Sequence, residues 1–112
     1  MGIIKQSEVT KEPIGPKRKR YIGHTDKLMM VVIDFEDGPT NKADPPHSHP
    51  HEQISYVAAG EIIVHIGNNE PTQLGPGDMF TVPPDIPHCI RLLTEHVRLV
   101  DTFTPLREDF LG

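Results

Sequence analysis

The chain is divided into short apolar runs separated by turn-forming clusters. Residues 27–35 (KLMMVVIDF), 54–59, 61–66 (EIIVHI), 79–82, 88–93 and 96–103 are rich in β-branched and apolar side chains, a composition that suits pleated, half-buried strands. Between them stand Gly38-Pro39 with Asn41, then Gly60, Gly67-Asn68-Asn69 and Leu74-Gly75-Pro76-Gly77-Asp78. Glycine supplies the positive φ, and proline the fixed φ, that tight turns need. The run 61–66 is expected to be the hairpin partner of the strand that ends at Gly60. Pro105 predicts a short terminal helix over residues 106–111, because proline is tolerated at a helix start. Residues 1–16 carry Pro13, Gly15 and Pro16 and are expected to be an irregular N-terminal arm with a short strand at Ile3-Ile4. Residues 17–112 are expected to be a single domain. So many strand edges are best satisfied by closing the sheet into a barrel. The expected fold class is therefore all-β, antiparallel, with a short C-terminal helix.

Composition narrows the functional classes. With 112 residues, 36% apolar content, 12 prolines and 9 glycines, the chain has room for one core built from short strands. Tryptophan is absent and aromatics are few, which argues against a stacking platform for single-stranded nucleic acid. A net charge of −5 gives no attraction to phosphate backbones. The single cysteine, Cys89, excludes an internal disulfide framework and fits a reducing compartment. It follows His88 directly, so on a strand it faces the other way, and a small buried apolar residue is the expected role. No charged start with an apolar h-region is seen, and no apolar run reaches membrane-spanning length. No nucleic acid, no membrane and a cytoplasmic location are the expectations. The basic run 17–20 (KRKR) reads as a solvated face. As the start of a strand it would instead place Arg18 and Arg20 together, and on an inward face they would be carboxylate binders.

The chemistry concentrates in HSHPHEQISYVAAG, residues 47–60. On a strand, i and i+2 share a face, so His47 and His49 are expected to point into one interior. Imidazole is the commonest protein metal ligand. Four residues on, Gln53 offers a neutral oxygen, and His88 in GDMFTVPPDIPH is the remaining candidate ligand. His65, set among alternating Ile and Val, reads as a satisfied or surface histidine. Three neutral imidazoles and an amide leave a divalent cation its full charge, which suits an anionic oxygen ligand such as a carboxylate or enolate. Imidazole suits Zn, Ni, Cu or Fe alike, so ligand type does not choose the metal. In LVDTFTPLREDFLG, Asp101 and Phe103 lie two apart, on one side of a strand. Inward, they would give a cavity a proton carrier and an aromatic wall, with Arg107 beyond Pro105 as a carboxylate clamp at its mouth.

These segments resemble the cupin superfamily. The first is similar to the motif G(X)5HXH(X)3-4E(X)6G, with His47, His49, Gln53 and Gly60 at its positions. The second is similar to G(X)5PXG(X)2H(X)3N, with Gly77, Pro83 and His88. Asn41 replaces the first glycine, Gln53 the glutamate, Asp85 the second-motif glycine and Leu92 the asparagine. The glutamate change matters most, because it removes the only anionic ligand. The resemblance implies a small double-stranded β-helix, or jelly-roll barrel, holding a metal inside.

Together, HSHPHEQISYV, PGDMFTVPPDIPH and LVDTFTPLREDFL resemble the KdgF-type pectin-degradation cupins from about Lys17 to Leu111. That resemblance implies ring opening of a 4,5-unsaturated uronate, from pectin or alginate breakdown, to a linear keto form. It assigns His47, His49, Gln53 and His88 to one divalent metal ion (Ni, Zn, Fe or Mn). It assigns Asp101, Phe103 and Arg107 to catalysis and substrate binding. The partner expected is a small anionic sugar acid, and the assembly a homodimer. The alternatives are a non-catalytic cupin that binds a small acid or metal, an iron-dependent dioxygenase, and another carbohydrate isomerase of the same fold.

Overall fold

The computed structural model describes residues 2–112. Nine strands follow in order: β1 Glu12–Gly15, β2 Arg18–His24, β3 Met29–Phe35, β4 Glu52–Ala59, β5 Ile62–Ile66, β6 Thr72–Leu74, β7 Met79–Val82, β8 His88–Leu92 and β9 Val97–Thr104. They form two facing antiparallel sheets. One has the order β1-β2-β3-β9-β4-β7 and the other β6-β5-β8. This is the small antiparallel barrel expected from the strand pattern and from the resemblance.

Alternation along two central strands decides what faces inward. In β4, the buried positions are Gln53, Ser55 and Val57; in β9 they are Val97, Leu99, Asp101 and Phe103. Their antiparallel register sets Gln53 opposite Phe103, Ser55 opposite Asp101 and Val57 opposite Leu99. One inner face thus runs from an apolar end to a polar end. At the apolar end Phe35, Val57, Ile62, Val64, Phe80, Val82, Leu92, Val97 and Leu99 form the main core. Each such side chain contributes roughly 1.5–3 kcal/mol on full burial. A smaller cluster of Met29, Val31 and Phe103 packs beside the polar end.

Four expectations require correction. β5 is not the hairpin partner of β4: it pairs with β6 and β8 in the opposite sheet, while β4 lies between β9 and β7. Gly60 redirects the chain between sheets at φ +78°, where a Cβ would stand 2.2 Å from the His96 carbonyl oxygen, so only glycine fits. Ile3-Ile4 forms no strand; the N-terminal segment instead pairs through β1 with β2. The terminal helix is only a 3-10 turn, Glu108–Phe110, preceded by an extended Arg107 with no side-chain cap. Without a cap, and with Phe110 drawn onto Phe103 (centroids 6.0 Å apart), three residues do not propagate into an α-helix. Lastly, His47 and His49 precede β4 rather than lying on it. Pro46 and Pro50 flank this segment, and proline lacks the N–H a ladder needs. His47 is held instead by an isolated bridge to His88, N to O at 3.0 and 2.9 Å.

Candidate functional site

The bridge and the start of β4 bring His47, His49 and His88 together. Their ligand atoms lie within 4.8 Å of one another, with ring centroids 4.2 Å apart for His47 and His88 and 5.0 Å for His49 and His88. The proton positions on the rings follow from their partners. The His88 Nδ1–H donates to the Ile86 carbonyl at 2.9 Å, and the His49 Nδ1–H to the His51 carbonyl at 2.9 Å. In the neutral form of each ring, the form that ligates a metal, Nε2 then carries the lone pair. His88 Nε2 is buried with no hydrogen-bond partner. His49 Nε2 faces Gln53 Oε1 at 3.0 Å, two acceptors set against each other.

Buried acceptors left this way are costly, and a cation resolves both cases at once. The donor set therefore fits a metal, with His47, His49, His88 and Gln53 available to hold it. Burial, then the neighbouring His88, His49 and Arg107, push His47 down to about 4, and burial likewise lowers His88. Neutral rings at physiological pH are the form that ligates. The third histidine of the run points elsewhere. His51 Nε2 donates to the Leu106 carbonyl at 3.1 Å, tying down the C-terminal segment. His65 lies on β5, paired opposite Cys89, outside this cluster.

The motif departures have structural answers. Asp85, where the second motif carries glycine, adopts φ +65°, the left-handed region that Asp tolerates better than most residues. Its N–H donates to the His49 carbonyl at 2.8 Å. Leu92, in place of asparagine, is fully buried in the main core.

A cavity of about 210 Å³ opens beside the histidines, lined among others by His47, His88, Gln53, Asp101, Phe103 and Arg107. Asp101 is buried, and desolvation pushes its carboxyl up to about 6, against the opposing pull of the Ser55 hydrogen bond and the Arg107 charge. Phe103 sets its edge against His49, centroids 5.5 Å apart. The Arg107 guanidinium lies over the rings of Phe103 (5.4 Å) and Phe110 (4.0 Å), and is paired with Asp109 at 2.9 Å.

Two further residues complete the mouth. Arg20 also stacks on this ring, 4.0 Å from the Phe110 centroid, and lines the cavity while held by Glu12. Strand parity brought Arg20 into view, but nothing in the sequence singled out Phe110. Arg18, its companion on the same strand face, is occupied by two carboxylates, at 3.0 Å from Asp37 and 2.8 Å from Asp44. That leaves its fork no free edge for a ligand. Cys89 is a free thiol, buried and pushed up in pKa by desolvation, and so inert.

The sequence matches the Cupin domain family over residues 35–103. It is 42% identical, over 98 residues, to the pectin degradation protein KdgF of Dickeya dadantii, covering 87% of this chain and 84% of that protein. The structure of KdgF from Halomonas is similar with a TM-score of 0.87 and 32% identity, over 97% of this chain and 99% of that one. A match to the dimethylsulfoniopropionate lyase DddQ of Ruegeria pomeroyi, 40% identical over 67 residues, takes in 60% of this chain and 32% of that protein. Topology, motif positions and similarity along nearly the whole length agree: the chain belongs to the cupin superfamily, as a member of the KdgF family.

Proposed function

We propose that the chain opens the ring of 4,5-unsaturated uronates from pectin or alginate breakdown, giving the linear keto form without change of oxidation state. The observation that carries this is a buried carboxyl, Asp101, in the same small cavity as His47 and His88, two of the three converged imidazoles. The similarity to KdgF supports the substrate class. A divalent cation held by His47, His49, Gln53 and His88 supplies Lewis-acid stabilisation of negative charge on a substrate oxygen. Ni, Zn, Fe and Mn all accept such a donor set.

The protein's own groups divide the remaining work. Asp101, ionised at neutral pH yet close to its protonated form, accepts the hemiacetal proton. The anomeric carbonyl forms as the ring C–O bond breaks, and the electron pair passes to the former ring oxygen as an enolate. Asp101 then returns the proton to C4, the vinylic CH carbon of the enolate, as the C5 keto group forms, so that atoms and charge balance in a net isomerisation. Phe103 gives the ring an apolar wall, and its position edge-on beside His49 excludes water from that side. Arg107 takes the substrate carboxylate, exchanging Asp109 for it. Proton NMR in deuterated water tests the path: the vinyl signal of the unsaturated uronate should disappear and deuterium appear at its former vinylic carbon. Loss of the vinyl signal without that labelling would contradict it.

Arg107→Ala is expected to raise KM for the uronate by roughly ten- to a hundredfold, the worth of a hydrogen bond between charged groups, with a smaller change in kcat. Arg107→Lys should recover only part, because an ammonium cannot form the bidentate fork. Steady-state kinetics showing both variants unchanged would return Arg107 to a surface role.

The homodimer and the cytoplasmic location belong to the same proposal. The outer face of the six-stranded sheet carries a row of Tyr21, Val32, Val100, Tyr56 and Met79 in register. Beside it Met30 and Ile54 are each about half exposed. A contiguous apolar face of this kind suits a second copy of the chain. Light scattering should give about twice the 12.5 kDa of one chain; a monomer mass at micromolar concentration would contradict it. The lone Cys89 fits a reducing compartment, and among the described residues no helix is long and apolar enough to cross a membrane.

A further inference from the structure

Ser55 is fully buried between two site residues and has no role in the chemistry above. Its hydroxyl donates to Asp101 Oδ1 at 2.6 Å and accepts from the Gln53 Nε2–H at 2.8 Å. A serine has one proton to give, and an ionised carboxylate only accepts, so the direction of this chain is fixed. The Gln53 amide must turn its NH2 towards Ser55 and its Oε1 towards His49 Nε2, 3.0 Å away.

That orientation is not the one His49 alone would select. A lone pair on His49 Nε2 attracts the amide NH2, and a turned amide would present hydrogens where a cation needs an oxygen. The motif's glutamate has no such difficulty, because either carboxylate oxygen serves. Glutamine in its place needs a partner that settles which end faces the histidines.

We propose that Ser55 is a positioning residue: it locks the Gln53 amide with its oxygen towards the three histidines, anchored through its own proton on Asp101. The inference rests on the metal-site reading above and adds to it a reason why a neutral amide works at this position. It also leaves the second oxygen of Asp101 outside the Ser55 hydrogen bond. The same hydroxyl thus ties the residue that holds the metal to the residue that carries the proton.

The test is the Zn affinity of four purified proteins, measured by competition with a chromophoric chelator: wild type, Ser55→Ala, Gln53→Glu, and both changes together. Ser55→Ala should weaken Zn binding about tenfold, the scale of one net hydrogen bond. In the Gln53→Glu background the same change should cost less than about threefold, because a carboxylate needs no orientation. A purely structural role would weaken both backgrounds alike, and that outcome, or unchanged affinity in Ser55→Ala, overturns the proposal. Thermal melting of each variant confirms the fold. The affinity cycle uses no uronate. A wild type that binds Zn but leaves unsaturated uronates untouched would defeat the catalytic reading, while the cycle still decides the role of Ser55. A wild type with no Zn affinity would defeat the metal site and the Ser55 proposal together.

Discussion

Asp101→Asn should lose roughly two to four orders of magnitude in turnover of unsaturated uronates, the usual worth of a positioned acid–base group. It should do so while keeping the fold and the metal. Asparagine is nearly the same shape, and its carbonyl oxygen can still accept from Ser55, but it cannot take up and return a proton. The same substitution should stabilise the metal-free protein. The Asp101 carboxyl is raised by burial from 3.8 to about 6, so the folded state binds this proton more tightly than the unfolded chain. Stability from this group is therefore present below the unfolded value, falls as pH rises between the two, and is lost above the folded one. At pH 8 the full cost of the buried charge is in place, on the order of 2–3 kcal/mol from the shift, and asparagine removes it. Melting curves of the metal-free proteins should place Asp101→Asn above wild type at pH 8, with the gap closing towards acid. A variant that melts lower at pH 8 and keeps its activity would mean that Asp101 is a structural residue.

The second large effect concerns the metal. Purified wild type should carry about one divalent ion per chain by elemental analysis, because buried lone pairs that face one another do not stay without a partner. His88→Ala removes the imidazole whose Nε2 is otherwise buried and unpartnered. It should weaken Zn affinity by more than the roughly 10–100-fold that outer partners of a metal site are worth, and activity should fall with it. His65→Ala is the matched control: His65 lies outside the cluster, so its loss should leave affinity unchanged. Equal effects at the two positions would remove the metal assignment.

Legibility in the sequence differs from residue to residue. The strands are legible because β-branched runs bounded by glycine and proline have few other readings. β3, β7, β8 and β9 fall within a few residues of the runs that announce them. The histidine cluster is legible through spacing, although one continuous strand is not what aligns it. Pro46 and Pro50 break the ladder, and the bridge to β8 does the aligning. Strand pairing is less accessible: β5 begins at Ile62, two residues after Gly60, yet joins the other sheet, because barrel closure, not sequence proximity, selects its neighbours. Ser55 gives no signal, being one small polar residue in an apolar run whose meaning depends on Asp101, 46 residues later. Arg18 and Arg20 share a strand face, and only the loop carboxylates Asp37 and Asp44 separate their fates. The Arg20–Phe110–Arg107 stack joins the two ends of the chain, a long-range contact that local pattern does not encode.

The most direct measurement follows the ultraviolet absorbance of the conjugated double bond in unsaturated uronates freshly released by a pectin or alginate lyase. Wild-type protein loaded with a divalent metal should accelerate its decay well beyond the spontaneous rate, and Asp101→Asn loaded to the same level should fall back towards the uncatalysed trace. Decay at the spontaneous rate with fully metal-loaded wild type, on uronates from both lyases, would contradict ring opening and leave a cupin that binds without turning over.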